Sequence, residues 1–131
     1  MFLTIIFSTK VNSVEVIVNA SVNVDTLTQS QLRRIYSMRQ LHWFDEQKII
    51  VFVLPSSHPL HQRFSKEKLG VFSYKLDRIW NKLIYSGLGT APIVVSTQEA
   101  LIDAVANTDG AIGYIEEENQ RKEAYVVKVK G

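Results

Sequence analysis

The chain has 131 residues, of which 46% are hydrophobic, and its 15 basic and 13 acidic residues give a net charge of +2. This length suits one compact domain, and the apolar content is too high for a disordered chain. Because there is no cysteine, the sequence excludes a disulfide framework, a thiol nucleophile and a zinc–thiolate site.

Residues 1 to 13 allow two interpretations. Met1–Ser8 is apolar but far shorter than the roughly 20 residues that span a bilayer, so no membrane span is predicted. It lacks the basic start of a secretory signal, although Val11–Ser13 satisfies the small-residue cleavage rule. The segment is therefore either a truncated signal peptide, which would place the protein in the periplasm, or a first strand. Residues 14 to 131 are predicted to form a single domain.

The first half of that domain alternates strands with helices. A strand is predicted over Val14–Asn19, and a polar loop over 19–25. Thr28 and Gln31 form a capping box that starts a helix. The residues of this helix expected to face the core are Leu32, Ile35 and Tyr36. Ile49–Leu54 is an apolar run typical of a central strand covered on both faces.

A second helix is predicted to follow the Pro55–Pro59 break, with Pro59 in its first turn and Gly70 at its end. Its expected buried residues are Phe64 and Leu69. Ser73 is predicted to cap a third helix. The apolar stripe of that helix repeats at helical spacing and should be buried; it comprises Leu76, Ile79, Trp80, Leu83 and Ile84.

The remaining elements complete an α/β pattern. A short strand over 92–96 precedes a helix with a capping box of Ser96 and Glu99. The expected buried residues of that helix are Leu101, Ile102 and Val105. Residues 107–110 end the helix, and strands are predicted over Ala111–Ile115 and Ala124–Val129. Alternating strands and helices indicate an α/β domain with a mixed sheet flanked by helices.

The order of these landmarks resembles the phosphate ABC transporter substrate-binding proteins, of periplasmic-binding-protein type II-like fold, over residues 14 to 116. The matching features, in order, are the Leu32-x-x-Ile35-Tyr36 helix, Trp43, the serine-rich start at Ser56-Ser57, Phe64, Trp80–Pro92 and Gly110–Tyr114. The resemblance implies a single lobe of a two-lobe fold, in which hydroxyls, helix N-terminal N–H groups and an arginine hold phosphate between the lobes without metal or other cofactor. No second lobe has a counterpart in this sequence.

The phosphate segment of that family departs from its pattern here. Counting back from Phe64 places Leu54 where the family has arginine, His58 where it has serine and Leu60 where it has threonine. What remains around the second helix start is a set of polar residues that could hold a small oxyanion, namely Ser56, Ser57, His58, His61 and Arg63. The alternative is that Ser56 or Ser57 merely caps the helix and the other three side chains are solvated.

Other chemistry finds less support. His58 and His61 are three residues apart, yet no third ligand lies nearby in sequence, so surface histidines are the better interpretation and no metal is predicted. Three aromatic residues could stack on a ligand or anchor the core, with the core favoured: Trp43, Trp80 and Tyr114. Three arginines come closest to a basic patch, but we interpret them as a solvated helix face and predict no nucleic-acid binding; they are Arg33, Arg34 and Arg39.

Two functions follow from these features. The first is a non-enzymatic solute-binding-like domain that binds phosphate or another small oxyanion, with a dimer partner or another envelope protein completing the site. The second is a protein-interaction or self-association module that has kept the fold and lost the ligand. An enzyme is not predicted, because no nucleophile, base and orienting group occur in a recognised arrangement.

Overall fold

The computed structural model describes residues 13 to 87, 89 to 116 and 124 to 131, so both interpretations of the first segment fall outside it except at Ser13. In these ranges the strands are β1 (Val14–Asn19), β2 (Thr26–Thr28), β3 (Ile50–Val53), β4 (Ile93–Val94), β5 (Ala111–Glu116) and β6 (Ala124–Lys130). The helices are α1 (Gln29–Tyr36), α2 (Pro59–Phe64), α3 (Ser73–Ser86) and α4 (Gln98–Asn107). A π-helical turn, Ser65–Leu69, continues α2.

The strands form one mixed sheet in the order β2-β6-β1-β5-β3-β4. β1 runs antiparallel to both of its neighbours, so that Val16 pairs with Tyr114 on one side and Val127 on the other. The pairs β2–β6, β3–β5 and β3–β4 are parallel. The predicted α/β fold with a mixed sheet is confirmed, and the carboxyl ends of β3, β4 and β5 lie at one edge.

Helices cover both faces of the sheet. Successive residues of a strand point to opposite faces, and β5 shows this directly. Gly113 lies against α4, where an added Cβ would be 2.8 Å from Cγ2 of Val105. Tyr114 points the other way, and its ring stacks on Phe64 of α2 with centroids 4.0 Å apart. The chain is therefore a three-layer sandwich whose second helix layer contains α1, α2 and α3.

The first predicted helix start is confirmed. The Thr28 hydroxyl accepts from the Gln31 N–H at 3.0 Å, and the Gln31 side chain accepts from the Thr28 N–H at 2.9 Å. The three residues expected to face the core are buried: Leu32, Ile35 and Tyr36. Phe64 and Leu69 are buried as well, and the left-handed Gly70 (φ +69°) ends the second helical segment as predicted.

Two other predicted caps are wrong by one residue. Phe72 occupies the N-cap position of α3 without a side-chain hydrogen bond, and Ser73 is already helical. Thr97, not Ser96, caps α4. Either hydroxyl of the Ser96-Thr97 pair has the chemistry to cap, and the extended backbone at Thr97 decides between them.

The predicted α3 stripe is only half buried. Leu76 and Trp80 lie in the core, whereas Ile79 and Ile84 are 38% and 57% exposed. Helical periodicity shows which face of a helix is apolar, but burial requires a neighbour that packs on it. The outer part of this stripe is covered only in part by the described residues. No described helix is long and apolar enough to cross a membrane.

The three aromatic residues singled out in the sequence belong to the core, as favoured. Trp43, Trp80 and Tyr114 are 4%, 7% and 0% exposed. The indole N–H of Trp43 donates to the Gly110 carbonyl at 2.9 Å, and that of Trp80 donates to the Tyr36 carbonyl at 2.8 Å. These side chains tie the helix layer and the loops to the sheet.

Candidate ligand cleft

A cleft of about 400 Å³ opens where β3 and β4 end. In open α/β sheets, ligands bind in the crevice outside the carboxyl ends of the strands. This cleft is therefore the natural place for a ligand in the described part of the chain. Its polar lining comes from Ser56 in the β3–α2 loop and from Asp77 and Asn81 of α3. The rest of the lining is apolar and includes Leu54, Trp80, Ile84 and Val94.

Ser56 lines this cleft, and Ser57 follows it in the β3–α2 loop. The Ser56 hydroxyl donates to Oδ1 of Asp77 at 2.5 Å, whereas Ser57 is exposed. Within the described ranges, no acceptor is bonded to the Ser57 hydroxyl or to the backbone N–H groups of Ser56 and Ser57. Those three donors remain available for a ligand.

His58, and not a serine, is the residue that caps the second helix. It is the N-cap of α2, and its Nδ1 accepts from the Leu60 N–H at 3.1 Å. The expectation that Ser56 or Ser57 caps this helix is therefore wrong. Because the cap uses Nδ1, that nitrogen is occupied and cannot contact a metal or an anion.

His61 is buried, which contradicts its interpretation as a solvated surface histidine. It is 0% exposed, and its Nδ1 lies 2.6 Å from the Tyr114 hydroxyl oxygen. That oxygen also accepts from the Leu54 N–H at 2.8 Å. The other ring nitrogen of His61, Nε2, is buried without a hydrogen-bond partner in the described ranges.

Burial also sets the charge of His61. Desolvation lowers its pKa, the nearby Asp77 raises it in part and His58 lowers it further. The side chain is therefore neutral near pH 7 and adds no positive charge to the cleft. Burial likewise raises the pKa of Tyr114 well above its ordinary value, so its hydroxyl stays protonated and can donate.

Arg63, the last of the five predicted site residues, is not among the residues that line the cleft. Its Nε lies 3.1 Å from the Glu67 carboxylate, and its Nη1 lies 3.9 Å from that of Glu116. Of the five predicted residues, the structure therefore places Ser56 in the lining of the cleft and Ser57 next to it in the chain, whereas His58 caps α2, His61 is buried and Arg63 pairs with carboxylates. No cluster of metal-binding side chains occurs among the described residues.

Sequence reasoning missed Asp77 and Asn81. Both lie on α3 at helical spacing from Trp80 and Ile84, and all four face the cleft. The signal was the pair of polar residues next to the apolar stripe, on the side that faces the start of α2. The residues next to Ser56 in sequence do not reveal that Asp77, 21 residues away, accepts a hydrogen bond from its hydroxyl.

The lowered pKa of His61 predicts a pH dependence of stability. The unfolded chain binds the His61 proton near pH 6.5, whereas the folded chain binds it only at lower pH. Between those values the unfolded state holds more protons, so stability is retained above about pH 6.5 and falls as the pH drops, by at most about 1.4 kcal/mol per unit. Urea unfolding at pH 7.5 and 5.5 measures this loss.

The matched variants for this measurement are His61→Gln and His42→Gln, the latter at an exposed histidine. We expect His61→Gln to reduce the loss of stability between the two pH values and His42→Gln to leave it unchanged. An equal pH dependence in His61→Gln and the unmodified chain would contradict the assignment.

Comparison with known proteins gives a match in fold. No protein-family model matches the sequence, and no curated protein sequence matches it either. Among solved structures, the chain is similar to an ABC-type phosphate transport receptor from Vibrio cholerae, with a TM-score of 0.71, 20% identity and coverage of 90% of this chain and 46% of that one. It is also similar to a phosphate ABC transporter substrate-binding protein from Clostridium perfringens that was solved with bound phosphate. That match has a TM-score of 0.73 at 19% identity and covers 90% of this chain and 45% of the other.

A phosphate-binding protein from Stenotrophomonas maltophilia gives a TM-score of 0.64 at 19% identity, over 92% of this chain and 39% of that one. The chain therefore spans less than half the length of these solved proteins. At this level of identity the likeness is one of fold. The resemblance expected from the order of motifs is confirmed as a resemblance in fold, of the solute-binding type.

Proposed function

We propose that this chain is a non-enzymatic solute-binding-like domain that takes a small oxyanion such as phosphate at the cleft beside Ser56 and Ser57. The observation that carries the proposal is the group of free donors there: two backbone N–H groups and the Ser57 hydroxyl. Such donors stabilise an anion. Proteins of the same fold include one solved with bound phosphate.

Asp77 narrows the class of anion. Its carboxylate lines the cleft and accepts one hydrogen bond, from Ser56. A fully deprotonated anion such as sulfate would be repelled by it, whereas hydrogen phosphate can donate its own proton to a carboxylate oxygen. None of the described residues that line the cleft is a lysine or an arginine. Neutral donors therefore provide the attraction, and binding is expected in the millimolar range, with a dimer partner adding a facing wall.

The test is thermal unfolding with added phosphate. At a phosphate concentration about tenfold above the Kd, the melting temperature should rise by about 3–5 °C, and Ser57→Ala should abolish the rise. Ser96→Ala is the matched control, since Ser96 is an exposed serine directly before the N-cap of α4 as Ser57 is before that of α2. Chloride at equal ionic strength and sulfate should have smaller effects. An unchanged melting temperature at tens of millimolar phosphate would count against the proposal.

A second candidate function is a protein-interaction or self-association module. It is favoured by an exposed apolar surface at the end of α3 and on the edge strand β4, formed by Ile84, Tyr85, Ile93 and Val94, all at least half exposed. Edge strands with apolar side chains pair readily with another chain. Size-exclusion chromatography of the same samples separates the two functions, because a dimer whose melting temperature ignores phosphate selects the second.

The cellular location belongs to the same proposal. A domain that binds a transported solute would act outside the cytoplasm, in the periplasm, if residues 1 to 13 derive from a signal peptide. Those residues, apart from Ser13, lie outside the described ranges. Mass spectrometry of the protein recovered from its native source would locate its first residue.

A further inference from the structure

We propose that a second surface, separate from the ligand cleft, binds an acidic amphipathic segment of a partner protein. This surface, here called the basic-rimmed groove, has a volume of about 220 Å³ and lies between α1, the π-helical turn and the first half of α3. Its apolar floor includes Leu69, Leu76 and Ile79, and its rim carries Arg33, Arg39 and Lys75.

The groove and the cleft lie on opposite flanks of α3. Leu76 and Ile79 line the groove, whereas Asp77 and Trp80 line the cleft. Consecutive helix residues are about 100° apart around the axis, so one helix can serve two independent surfaces. A substitution confined to the groove should leave the cleft intact, and a substitution confined to the cleft should leave the groove intact.

The apolar floor suits a single anchoring side chain. Small-molecule pockets usually measure about 300–1,000 Å³, which is more than this groove offers. Leu69 and Leu76 are buried at its base, and Ile79 is partly exposed. Apolar pockets of this kind are typical of the centres of protein interfaces.

The basic side chains on the rim of the groove favour a partner segment that carries negative charge. Arg33 is held in place because its Nε donates to the Leu69 carbonyl at 2.5 Å and its Nη2 donates to the Gln29 side chain at 3.2 Å. In the ranges that the structure describes, neither Arg39 nor Lys75 has an ion pair, and no carboxylate lines the groove. Three like charges around an apolar floor attract a segment that carries carboxylates beside its anchor.

A peptide fits this surface better than a membrane does. Interfacial membrane binding uses an apolar face that enters the headgroup region, whereas the floor here is recessed between two helices and a turn. A leucine or aromatic side chain can enter such a recess, and flanking glutamates or aspartates can then reach the rim.

Selection from a phage-displayed library of random peptides tests the proposal. The full chain is the bait, and Arg39→Glu/Lys75→Glu is the counter-selection. We expect enriched peptides to carry a large apolar residue flanked by Asp or Glu. Fluorescence anisotropy of the labelled peptides should show binding weakened at least about tenfold by the charge reversal. Lys128→Glu/Lys130→Glu makes the same charge change at exposed positions of β6 and should leave the affinity nearly unchanged.

Several results would overturn the proposal. These are the absence of enrichment over the counter-selection, enrichment of neutral or basic peptides, and equal weakening by the β6 variant. Co-sedimentation with phosphatidylserine–phosphatidylcholine vesicles that is lost on charge reversal would assign the groove to lipid instead. Melting curves of both variants should match the unmodified chain, because the substituted side chains are exposed. Ser57→Ala should not affect peptide binding, so this test and the phosphate test can fail separately.

Discussion

Replacing Tyr114 by phenylalanine is expected to lower the free energy of unfolding by about 2–6 kcal/mol. The hydroxyl accepts from the Leu54 N–H and lies 2.6 Å from Nδ1 of His61. Its removal leaves two buried polar groups without a partner, and each such group costs about 1–3 kcal/mol. Phenylalanine keeps the stacking on Phe64, so the loss isolates the hydroxyl. Urea unfolding measures it.

Tyr125→Phe provides the control for that variant. Tyr125 lies on β6 and is 56% exposed, so water replaces whatever its hydroxyl contacts, and the change should stay within about 0.5 kcal/mol. If Tyr114→Phe were as mild as Tyr125→Phe, the hydrogen-bond chain from Leu54 to His61 would not exist in solution.

Gly110→Ala is expected to destabilise the chain by about 3–5 kcal/mol. Gly110 has φ +78°, and an added Cβ would lie 2.1 Å from the Lys48 carbonyl oxygen. The backbone cannot move aside freely, because the Gly110 carbonyl accepts from Trp43 and from Ile50 and its N–H donates to Ser21. The variant thus combines a left-handed backbone with a clash against another backbone. Urea unfolding of soluble protein, or its loss to the insoluble fraction, reports the effect.

Gly87→Ala separates the two contributions. Gly87 has a similar φ of +65°, but no atom of the described residues lies within 4 Å of an added Cβ. This variant should therefore cost only the left-handed strain, about 1–2 kcal/mol. Equal losses for Gly87→Ala and Gly110→Ala would show that the contact with Lys48 relaxes and that backbone strain alone matters.

Interactions between residues close in sequence could be predicted from the sequence, whereas those between residues far apart in sequence could not. The Thr28–Gln31 capping box joins residues three apart, and the pattern predicted it correctly. The interactions of Tyr114 with Leu54 and His61 join residues 60 and 53 apart. No periodicity along the chain encodes such a pairing, since it exists only once the sheet and α2 have packed together.

The candidate site shows the same difference between what local sequence predicts and what packing decides. The serines after β3 were found because a strand end followed by small polar residues and a proline is a local pattern. Three of the five predicted residues then took other tasks: His58 caps α2, His61 is buried and Arg63 pairs with carboxylates away from the cleft. The sequence gives the chemical type of these three side chains. The direction in which each side chain points depends on which face of α2 packs against the sheet.

By itself, the sequence determined the α/β class, the first helix start and the order of the strands and helices other than β2, because these depend on local propensity and on the spacing of apolar residues. The resemblance in fold followed instead from the order of the motifs along the chain. Only the tertiary structure decided that Asp77 stands beside Ser56, that His61 is buried, and that the outer part of the α3 stripe remains exposed. The physical reason is that burial and charge partners are set by the neighbours of a residue in space. A short chain with two helix layers brings those neighbours from positions that the local pattern does not connect.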